Sequence, residues 1–218
     1  MWVAIYGSGG MGRELAQTID DINAQLPKQW DGVVFIDDVT DCEMVNGYRT
    51  IKFDDFTQEF TVDSVEVVIA VGEPSARENL FSKVSTYGYS FATVVHPTAS
   101  VSPYSELGEG TIVQYCARVA PNTTIGRNVL LNSYASVGHD CEIGDGSVIS
   151  SFTGVGGGAA IGKGSFVGMG ASIRDHISIG DNSIVSMSAA VYRDMPSGAT
   201  VMGNPARVIH AADEGVFR

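Results

Sequence analysis

One histidine of the chain has a carboxylate beside it and a glycine run at a fixed distance downstream. Asp140 follows His139, and Gly157, the middle of three consecutive glycines, lies 18 residues after that histidine. A neutral imidazole whose tautomer is held by a neighbouring carboxylate has the parts of a general base. Backbone N–H groups in a stretch without side chains can receive a developing oxyanion. Together these residues predict attack on a carbonyl, provided that the fold brings residue 157 against residue 139.

A six-residue repeat supplies such a fold. An aliphatic residue stands at every sixth position from Val95 to Val191, 17 in all; glycine follows eight of them, and the residue four positions on is usually small. This period indicates a solenoid in which three units form an 18-residue coil and the coils stack as parallel strands about 4.8 Å apart. We expect five to six coils, with the prism ending after Val191 and Gly157 directly above His139. Spacing alone does not distinguish a base at His139 from a solvated corner residue.

The chain before the repeat has the order of a small α/β domain. An apolar run, Trp2–Tyr6, precedes the loop GSGGMG, and a helical pattern covers Arg13–Asn23. Backbone N–H groups of such a loop can hold phosphate. A second apolar run, Val33–Ile36, ends in two carboxylates that would face a ribose or a base, Asp37 and Asp38. About 90 residues hold only half of a dinucleotide fold, so a mononucleotide is favoured over NAD, and a plain strand-to-helix turn is the alternative.

Further elements are expected in the same region. Apolar runs predict strands at Tyr48–Ile51, Val65–Val71 and Phe91–Val95, and a helical pattern covers Pro74–Tyr87. We therefore divide the chain into an α/β domain at 1–94 and a β-helix with a C-terminal tail at 95–218.

Composition excludes several functions. The net charge is −12 and no cluster of lysine and arginine accompanies aromatic residues, so nucleic acid is not an expected partner. No apolar stretch approaches the roughly 18 residues of a membrane span, and no membrane insertion is expected. The three cysteines are scattered, which suits a reducing compartment, and we expect a cytoplasmic protein with Cys141 in the core.

Several motifs together resemble one enzyme family. They are the glycine loop before Arg13-Glu14, Phe35-Ile36-Asp37-Asp38, Gly72 with Arg77, His96-Pro97, Asn132, His139-Asp140-Cys141 and Gly203-Asn204-Pro205-Ala206. The chain resembles the sugar O-/N-acyltransferases of the hexapeptide-repeat superfamily, of the sialic-acid O-acetyltransferase and nucleotide-4-amino-sugar N-acetyltransferase type.

The resemblance implies a left-handed β-helix, a homotrimer, and acetyl-CoA bound along the prism between subunits, with the nucleotide of the acceptor on the N-terminal domain. His139 would be the general base, Asp140 would support it, the Gly157 amide would polarise the thioester, and Asn132 would line the pocket. Acceptor-binding residues would be Gly7, Ser8, Gly9, Gly10, Asp37, Asp38 and Gly72. Residues near CoA would be Gly157, Gly158, Gly203, Asn204, Pro205 and Arg207.

Two departures from the family pattern leave the acceptor open. Met11 stands where members often have a histidine in the glycine loop, and Val148 stands where a second histidine often follows the catalytic one. Neither side chain donates hydrogen bonds as imidazole does.

The leading hypothesis is an acetyl-CoA-dependent N-acetyltransferase of a nucleotide-linked 4-amino-6-deoxy sugar. O-acetylation of sialic acid or another sugar hydroxyl and a non-catalytic nucleotide-binding scaffold are the alternatives. Carbonic anhydrases of the same prism use three zinc-binding histidines, and because their paired histidine spacing is missing here, no metal is expected.

Overall fold

The computed structural model describes residues 1–25 and 27–211, which form an α/β unit followed by a parallel β-helix. The segment 212–218 of the expected tail lies outside the described residues. The elements of the α/β unit are β1 (Trp2–Tyr6), α1 (Gly10–Asn23), β2 (Val33–Ile36), β3 (Met44–Val45), β4 (Tyr48–Ile51), α2 (Phe53–Glu59), β5 (Val65–Ile69) and α3 (Pro74–Thr86).

The sheet of this unit has the order β3-β4-β2-β1-β5 and is parallel except for the β3–β4 hairpin. Strands β1, β2 and β5 are nearly continuous apolar runs because both faces of the sheet are covered. Their carboxyl ends therefore meet at one edge, where the glycine loop begins.

The sequence analysis did not predict α2 or β3, and it placed the start of α1 too late. The sequence of α2 is too short to show a helical period, although its two buried residues, Phe53 and Phe56, are three apart. The β3–β4 hairpin turns at Asn46-Gly47, both with positive φ. Helix α1 begins at Gly10, inside the loop, rather than at Arg13.

The β-helix follows the six-residue period. Its strands are β6 (Val94–Val95), β7 (Ser100–Val101), β8 (Glu106–Leu107), β9 (Ile112–Val113), β10 (Arg118–Val119), β11 (Thr124–Ile125), β12 (Leu130–Leu131), β13 (Ser136–Val137), β14 (Glu142–Ile143), β15 (Val148–Ile149), β16 (Gly154–Val155), β17 (Ala160–Ile161), β18 (Phe166–Val167), β19 (Ser172–Ile173), β20 (Ser178–Ile179), β21 (Ile184–Val185), β22 (Ala190–Val191), β23 (Ala199–Met202) and β24 (Arg207–Ala211). They form three sheets of eight, six and five strands.

The 18-residue coil predicted from the sequence is confirmed by the strand register. Val137 pairs with Val155, and Val155 pairs with Ile173. These aliphatic side chains lie inside the prism together with small residues such as Ala135 and Cys141, which is 1% exposed. Cys141 is thus a core residue, as expected.

The prism does not end after Val191, so that expectation was wrong. Strand β23 pairs in parallel with β21, and Val201 is buried in the same core. The last coil is irregular because Val201 follows its partner Val185 by 16 residues instead of 18. The six-residue sequence period therefore ends before the last strands of the β-helix.

The two units share a buried junction. The outward residues of the eight-stranded sheet, among them Val94, Leu130 and Val148, pack in one cluster with Leu15 and Ile19 of α1. The junction also holds a fully buried cation. Arg77 of α3 donates to the backbone oxygens of Ile69 and Val71 at the end of β5 and to both oxygens of Asn128 in the β-helix. Burial lowers the pKa of Arg77 to about 9.

Candidate active site

His139 and Asp140 form a hydrogen-bonded pair at the corner between β13 and β14. Nδ1 of His139 lies 2.7 Å from Oδ2 of Asp140, and both side chains are more than half exposed. Asp140 has a φ of 56°, so the corner turns through the left-handed region. The hydrogen bonds from His139 and then from Asn122 hold the pKa of Asp140 below its usual value. The carboxylate is therefore ionised at neutral pH and fixes the tautomer in which Nε2 of His139 is the basic nitrogen.

The imidazole of His139 lies over Gly157, as the coil length predicted. A Cβ added at Gly157 would stand 2.6 Å from Nε2 of His139, and the N–H of Gly158 donates to the carbonyl of His139 at 2.8 Å. His176 approaches from the coil above, since a Cβ on Gly158 would meet its Nδ1 at 2.4 Å. A side chain at 157 or 158 would displace one of the two imidazoles, because the rings use the space that it would fill.

The amide of Gly157 is an unused donor. At the neighbouring corner, the equivalent N–H groups of Arg127 and Lys163 donate to Asp145 and Asp181, each from the next coil. Within the described part of the chain, the N–H of Gly157 has no acceptor. A free backbone donor next to a base has the arrangement that stabilises an oxyanion.

Sequence reasoning missed one residue of this corner. The side-chain amide of Asn122 donates to Oδ1 of Asp140 at 3.0 Å, and the N–H of Asp140 donates to the carbonyl of Pro121 at 3.1 Å. The signal was present in the sequence, because Asn122 precedes Asp140 by one coil of 18 residues.

A second cleft lies beside the glycine loop at residues 7–12, at the edge of the sheet where β1, β2 and β5 end. It has a volume of about 550 Å³ and is lined by Tyr6, Gly7, Gly9, Gly10, Met11, Asp37, Asp38, Val39, Ala70, Val71, Gly72 and Leu80. Ser8, Arg13 and Thr40 line an adjoining cleft of about 470 Å³ with Gly9 and Asp37.

The glycines of the loop serve different purposes. Gly7 has a φ of 108°, and a Cβ on Gly12 would lie 1.9 Å from the carbonyl of Gly7, so the fold itself requires both. A Cβ on Gly9 or Gly10 would meet nothing within 4 Å, and neither residue has a positive φ. The fold does not require glycine at these two positions, and their open backbone faces the cleft at the N-terminus of α1.

Both carboxylates at the end of β2 are held by protein donors. Asp37 accepts hydrogen bonds from the N–H and hydroxyl of Ser8 and from the N–H groups of Val39 and Thr40. Burial alone would raise the pKa of Asp37, but these bonds hold it at about 2. All four acceptor positions of its carboxylate are thus used to shape the loop.

Asp38 is held by a tyrosine, a lysine and a backbone amide. Oδ2 accepts from Tyr6 at 2.5 Å and from Lys83 at 3.0 Å, while Oδ1 accepts from the N–H of Phe53. Burial and the hydrogen bond to Asp38 raise the pKa of Tyr6 well above its usual value. One acceptor position of Asp38 remains for a ligand in the cleft.

Within one folded subunit, Asn132 does not lie beside His139. It follows β12 of the eight-stranded sheet, whereas His139 follows β13 of the six-stranded sheet, so the two residues occupy different corners. The corner after Asn132 carries a row of large exposed side chains, which we call the apolar edge: Tyr115, Tyr134, Phe152, Met169 and Met187. Tyr134 stacks on Phe152 at 4.9 Å and contacts Tyr115 edge-on.

The remaining predicted residues lie at the far end of the prism. Pro205 and Arg207 line a cavity of about 510 Å³ together with Tyr192 and Arg193. The Gly203 carbonyl accepts from the N–H of Ala190, and Asn204 is exposed in the turn.

Two protein-family models match the chain, one in each of its two units. Residues 2–84 match the family model described as the PglD N-terminal domain, and residues 122–157 match that of the bacterial transferase hexapeptide (six repeats). GDP-perosamine N-acetyltransferase from Escherichia coli is 30% identical over 111 residues, which are 50% of this chain and 48% of that protein. The match thus spans about half the length of the curated relative.

Solved structures match over almost the whole chain. WeeI from Acinetobacter baumannii is 30% identical, with a TM-score of 0.88 and coverage of 96% of this chain and 100% of that one. This chain belongs to the sugar acetyltransferases of the hexapeptide-repeat superfamily. The resemblance predicted from the sequence motifs is therefore confirmed.

Two further structures similar to this chain contain ligands. The acetyltransferase domain of PglB from Neisseria gonorrhoeae, in complex with acetyl coenzyme A, is 28% identical, with a TM-score of 0.89 and coverage of 95% and 98% of the two chains. A histidine-to-asparagine mutant of perosamine N-acetyltransferase from Caulobacter crescentus, in complex with CoA and GDP-perosamine, is 25% identical, with a TM-score of 0.89 and coverage of 96% and 97%.

Met11 and Val148 lie at a single contact between the two units. Val148 is 1% exposed in the cluster between α1 and the eight-stranded sheet, and Met11 packs against that same cluster. Met11 also lines the 550 Å³ cleft, and its side chain makes that part of the cleft apolar.

Two findings concern the other partners considered from the sequence. Among the side chains that the structure describes, no three histidine, cysteine, aspartate or glutamate residues are grouped as metal ligands. No helix in the described part of the chain is long and apolar enough to cross a membrane.

Proposed function

We propose that this protein is an acetyl-CoA-dependent N-acetyltransferase that acts on a nucleotide-linked amino sugar. The observation that carries the proposal is the position of the His139–Asp140 pair against Gly157, whose amide is free to donate. A base and an oxyanion donor on adjacent coils are what acyl transfer from a thioester requires. The relatives in complex with acetyl coenzyme A and with GDP-perosamine support both co-substrates.

The reaction uses both groups in turn. The amine nitrogen attacks the thioester carbonyl carbon, and Nε2 of His139 takes the amine proton as the N–C bond forms. The Gly157 N–H donates to the oxyanion, and Asp140 stabilises the imidazolium. Collapse of the tetrahedral intermediate breaks the C–S bond, and the proton returns from His139 to the CoA sulfur.

We assign the remaining parts of the acceptor to the cleft beside the glycine loop. We assign the acceptor's diphosphate to the open backbone of Gly9 and Gly10 at the N-terminus of α1. Asp38 is assigned to the ribose or base, while Asp37 acts by holding Ser8. Gly7 and Gly72 form the walls of this cleft.

CoA is assigned to the face that runs from Gly157 and Gly158 to the cavity at the Gly203–Arg207 turn, which Asn204 and Pro205 shape. Counting coils upward from Gly157, the same column continues to Asp175 and then Arg193, which lines that cavity. An arginine at this end suits the phosphates of CoA.

A homotrimer is part of the proposal because one chain does not bring Asn132 to His139. The apolar edge lies at the corner of Asn132, and exposed apolar side chains in a row are typical of protein interfaces. If the apolar edge of one subunit packs against the His139 corner of the next, Asn132 reaches the site from the neighbouring subunit. We also place the enzyme in the cytoplasm, where its three free cysteines would stay reduced.

The test is release of CoA thiol by the purified protein with acetyl-CoA and a panel of acceptors. The panel contains UDP-, TDP- and GDP-linked 4-amino-6-deoxy sugars, free sialic acid and CMP-linked sialic acid. We expect release with an amino sugar and a product 42 mass units heavier, the acetyl group replacing one proton. Release with sialic acid alone would overturn N-acetylation in favour of O-acetylation, and silence across the panel would favour a non-catalytic scaffold.

The matched variants are His139→Ala and His176→Gln. Removal of the base should lower kcat by roughly 2–4 orders of magnitude, with the melting temperature unchanged because His139 is exposed. His176→Gln changes a second exposed histidine, which lies against Gly158, and should retain most activity. Equal activity of His139→Ala and the parent enzyme would refute the mechanism.

A further inference from the structure

The side chain of Asn122 lies one coil below the His139–Asp140 pair and donates a hydrogen bond to its carboxylate member. The amide nitrogen donates to Oδ1 of Asp140 at 3.0 Å, while Oδ2 of Asp140 faces Nδ1 of His139 at 2.7 Å. An ionised carboxylate only accepts, so the NH₂ group of Asn122 must be the end that faces it. Each oxygen of Asp140 thus has one defined partner.

The backbone below Asp140 is also fixed. The carbonyl of Pro121 accepts from the N–H of Asp140 at 3.1 Å, and the N–H of Asn122 donates to the carbonyl of Tyr104 one coil further down. The ring of Pro121 restricts its φ. Asp140 is therefore held at two points, its amide and its Oδ1, by consecutive residues of one coil.

This support is needed because the pair is exposed. The side chains of His139 and Asp140 are 64% and 56% exposed, so water competes for the carboxylate. Few other groups act on it. Residues 157–158 of the coil above have no side chains, residues 121–122 of the coil below carry no charge, and in the described part of the chain the next ionisable group that acts on Asp140 is the imidazole of His176. Without Asn122, one oxygen would have no protein partner and the carboxylate could rotate away from the imidazole.

We propose that Asn122 is a positioning residue of the acetyl-transfer reaction, which acts on His139 through Asp140. The inference rests on the proposed function for the identity of the base. Asn122 fixes the rotation of the Asp140 carboxylate, so that Oδ2 stays on Nδ1 of His139 and Nε2 points to the amine during proton transfer.

The backbone allows a clean set of variants. Asn122 has a φ of 59°, a conformation that glycine and aspartate tolerate. Asn122→Gly therefore removes the side-chain amide, and Asn122→Asp replaces it with a carboxylate, without backbone strain. Asn182 is an exposed corner residue with a φ of 52° in a different column, and Asn182→Gly is the matched control.

The first measurement is the dependence of kcat on pH. Loss of orientation in Asn122→Gly weakens the carboxylate–imidazolium contact, so we expect kcat to fall about tenfold and the acid limb of the profile to move about 0.3–0.5 pH units lower. Asn122→Asp adds a negative charge near the imidazolium and should move that limb higher by a similar amount. KM for acetyl-CoA should stay within about twofold in both variants. Asn182→Gly should leave both the acid limb of the profile and kcat unchanged.

The second measurement does not need turnover. The ring signals of His139 in the full-length protein, followed by NMR against pH, should show the same two opposite movements of the titration midpoint. A shift of both variants in one direction, or profiles that coincide with the parent enzyme, would overturn the role of Asn122. If no acceptor is turned over by the parent enzyme, the proposed function fails, and the NMR titration still decides the effect of Asn122 on the pair.

Discussion

Replacing Gly157 by alanine tests the close approach of the His139 ring to the backbone of residue 157. The added methyl would stand 2.6 Å from Nε2, 2.7 Å from Cε1 and 3.1 Å from Cδ2 of His139. Favourable contacts between such atoms lie near 3.5–4.0 Å, so the ring must retreat by about 1 Å. The alanine keeps the N–H that we assign to the oxyanion, and the change therefore acts on the base alone among the protein groups.

The expected loss follows from that displacement. A misplacement of about 1 Å at a reacting group costs about 100-fold in rate, and complete loss of a general base costs 10²–10⁴-fold. We expect kcat of Gly157→Ala to fall about 100- to 1000-fold. Gly157 does not have a positive φ and the exposed ring can move, so the free energy of unfolding should change by less than about 1 kcal/mol. Steady-state thiol release and urea unfolding measure the two quantities.

Gly158→Ala is the control at the next position. Gly158 has a φ of 68°, and its methyl would meet His176 instead of His139. Backbone strain should cost about 1–2 kcal/mol of stability, with a smaller loss of kcat than in Gly157→Ala. The reasoning is refuted if Gly157→Ala retains kcat within about threefold, since His139 would then not work against Gly157.

Three further predictions concern the scaffold. Arg77→Lys should lower the free energy of unfolding by about 3 kcal/mol, because one ammonium cannot reach the four oxygens that the guanidinium binds, and urea unfolding within 0.5 kcal/mol of the parent would contradict this. Ile161→Asp places an unpaired charge in the prism core and should prevent recovery of a folded protein; a soluble variant with unchanged melting would contradict the register. Asp37 has a folded pKa of about 2 against about 3.9 when unfolded, so its contribution is complete above pH 4 and is lost as pH falls towards 2. Asp37→Asn should therefore be less stable at pH 7 by on the order of 1 kcal/mol and should lose less stability between pH 5 and 3, measured by urea titration at each pH.

The six-residue period by itself determined most of the fold and the centre of the site. A strict repeat leaves one way to bury all of its aliphatic residues, and the 18-residue coil then places Gly157 on His139. The same step would have found Asn122 below Asp140. Where the step changes from 18 to 16 residues, at Met195 and Val201, the sequence pattern no longer indicated the last coil.

Only the tertiary structure decided which polar groups are free and which are occupied. Asp37 looks like a ligand for a ribose in the sequence, but four donors from Ser8, Val39 and Thr40 surround it in the fold. Hydrogen bonds across loops depend on side-chain directions that no period specifies. Which residues are buried also depends on how the two units pack. Arg77 is inaccessible, and Val148 faces α1 rather than the site, because two units with separate sequence patterns pack against each other.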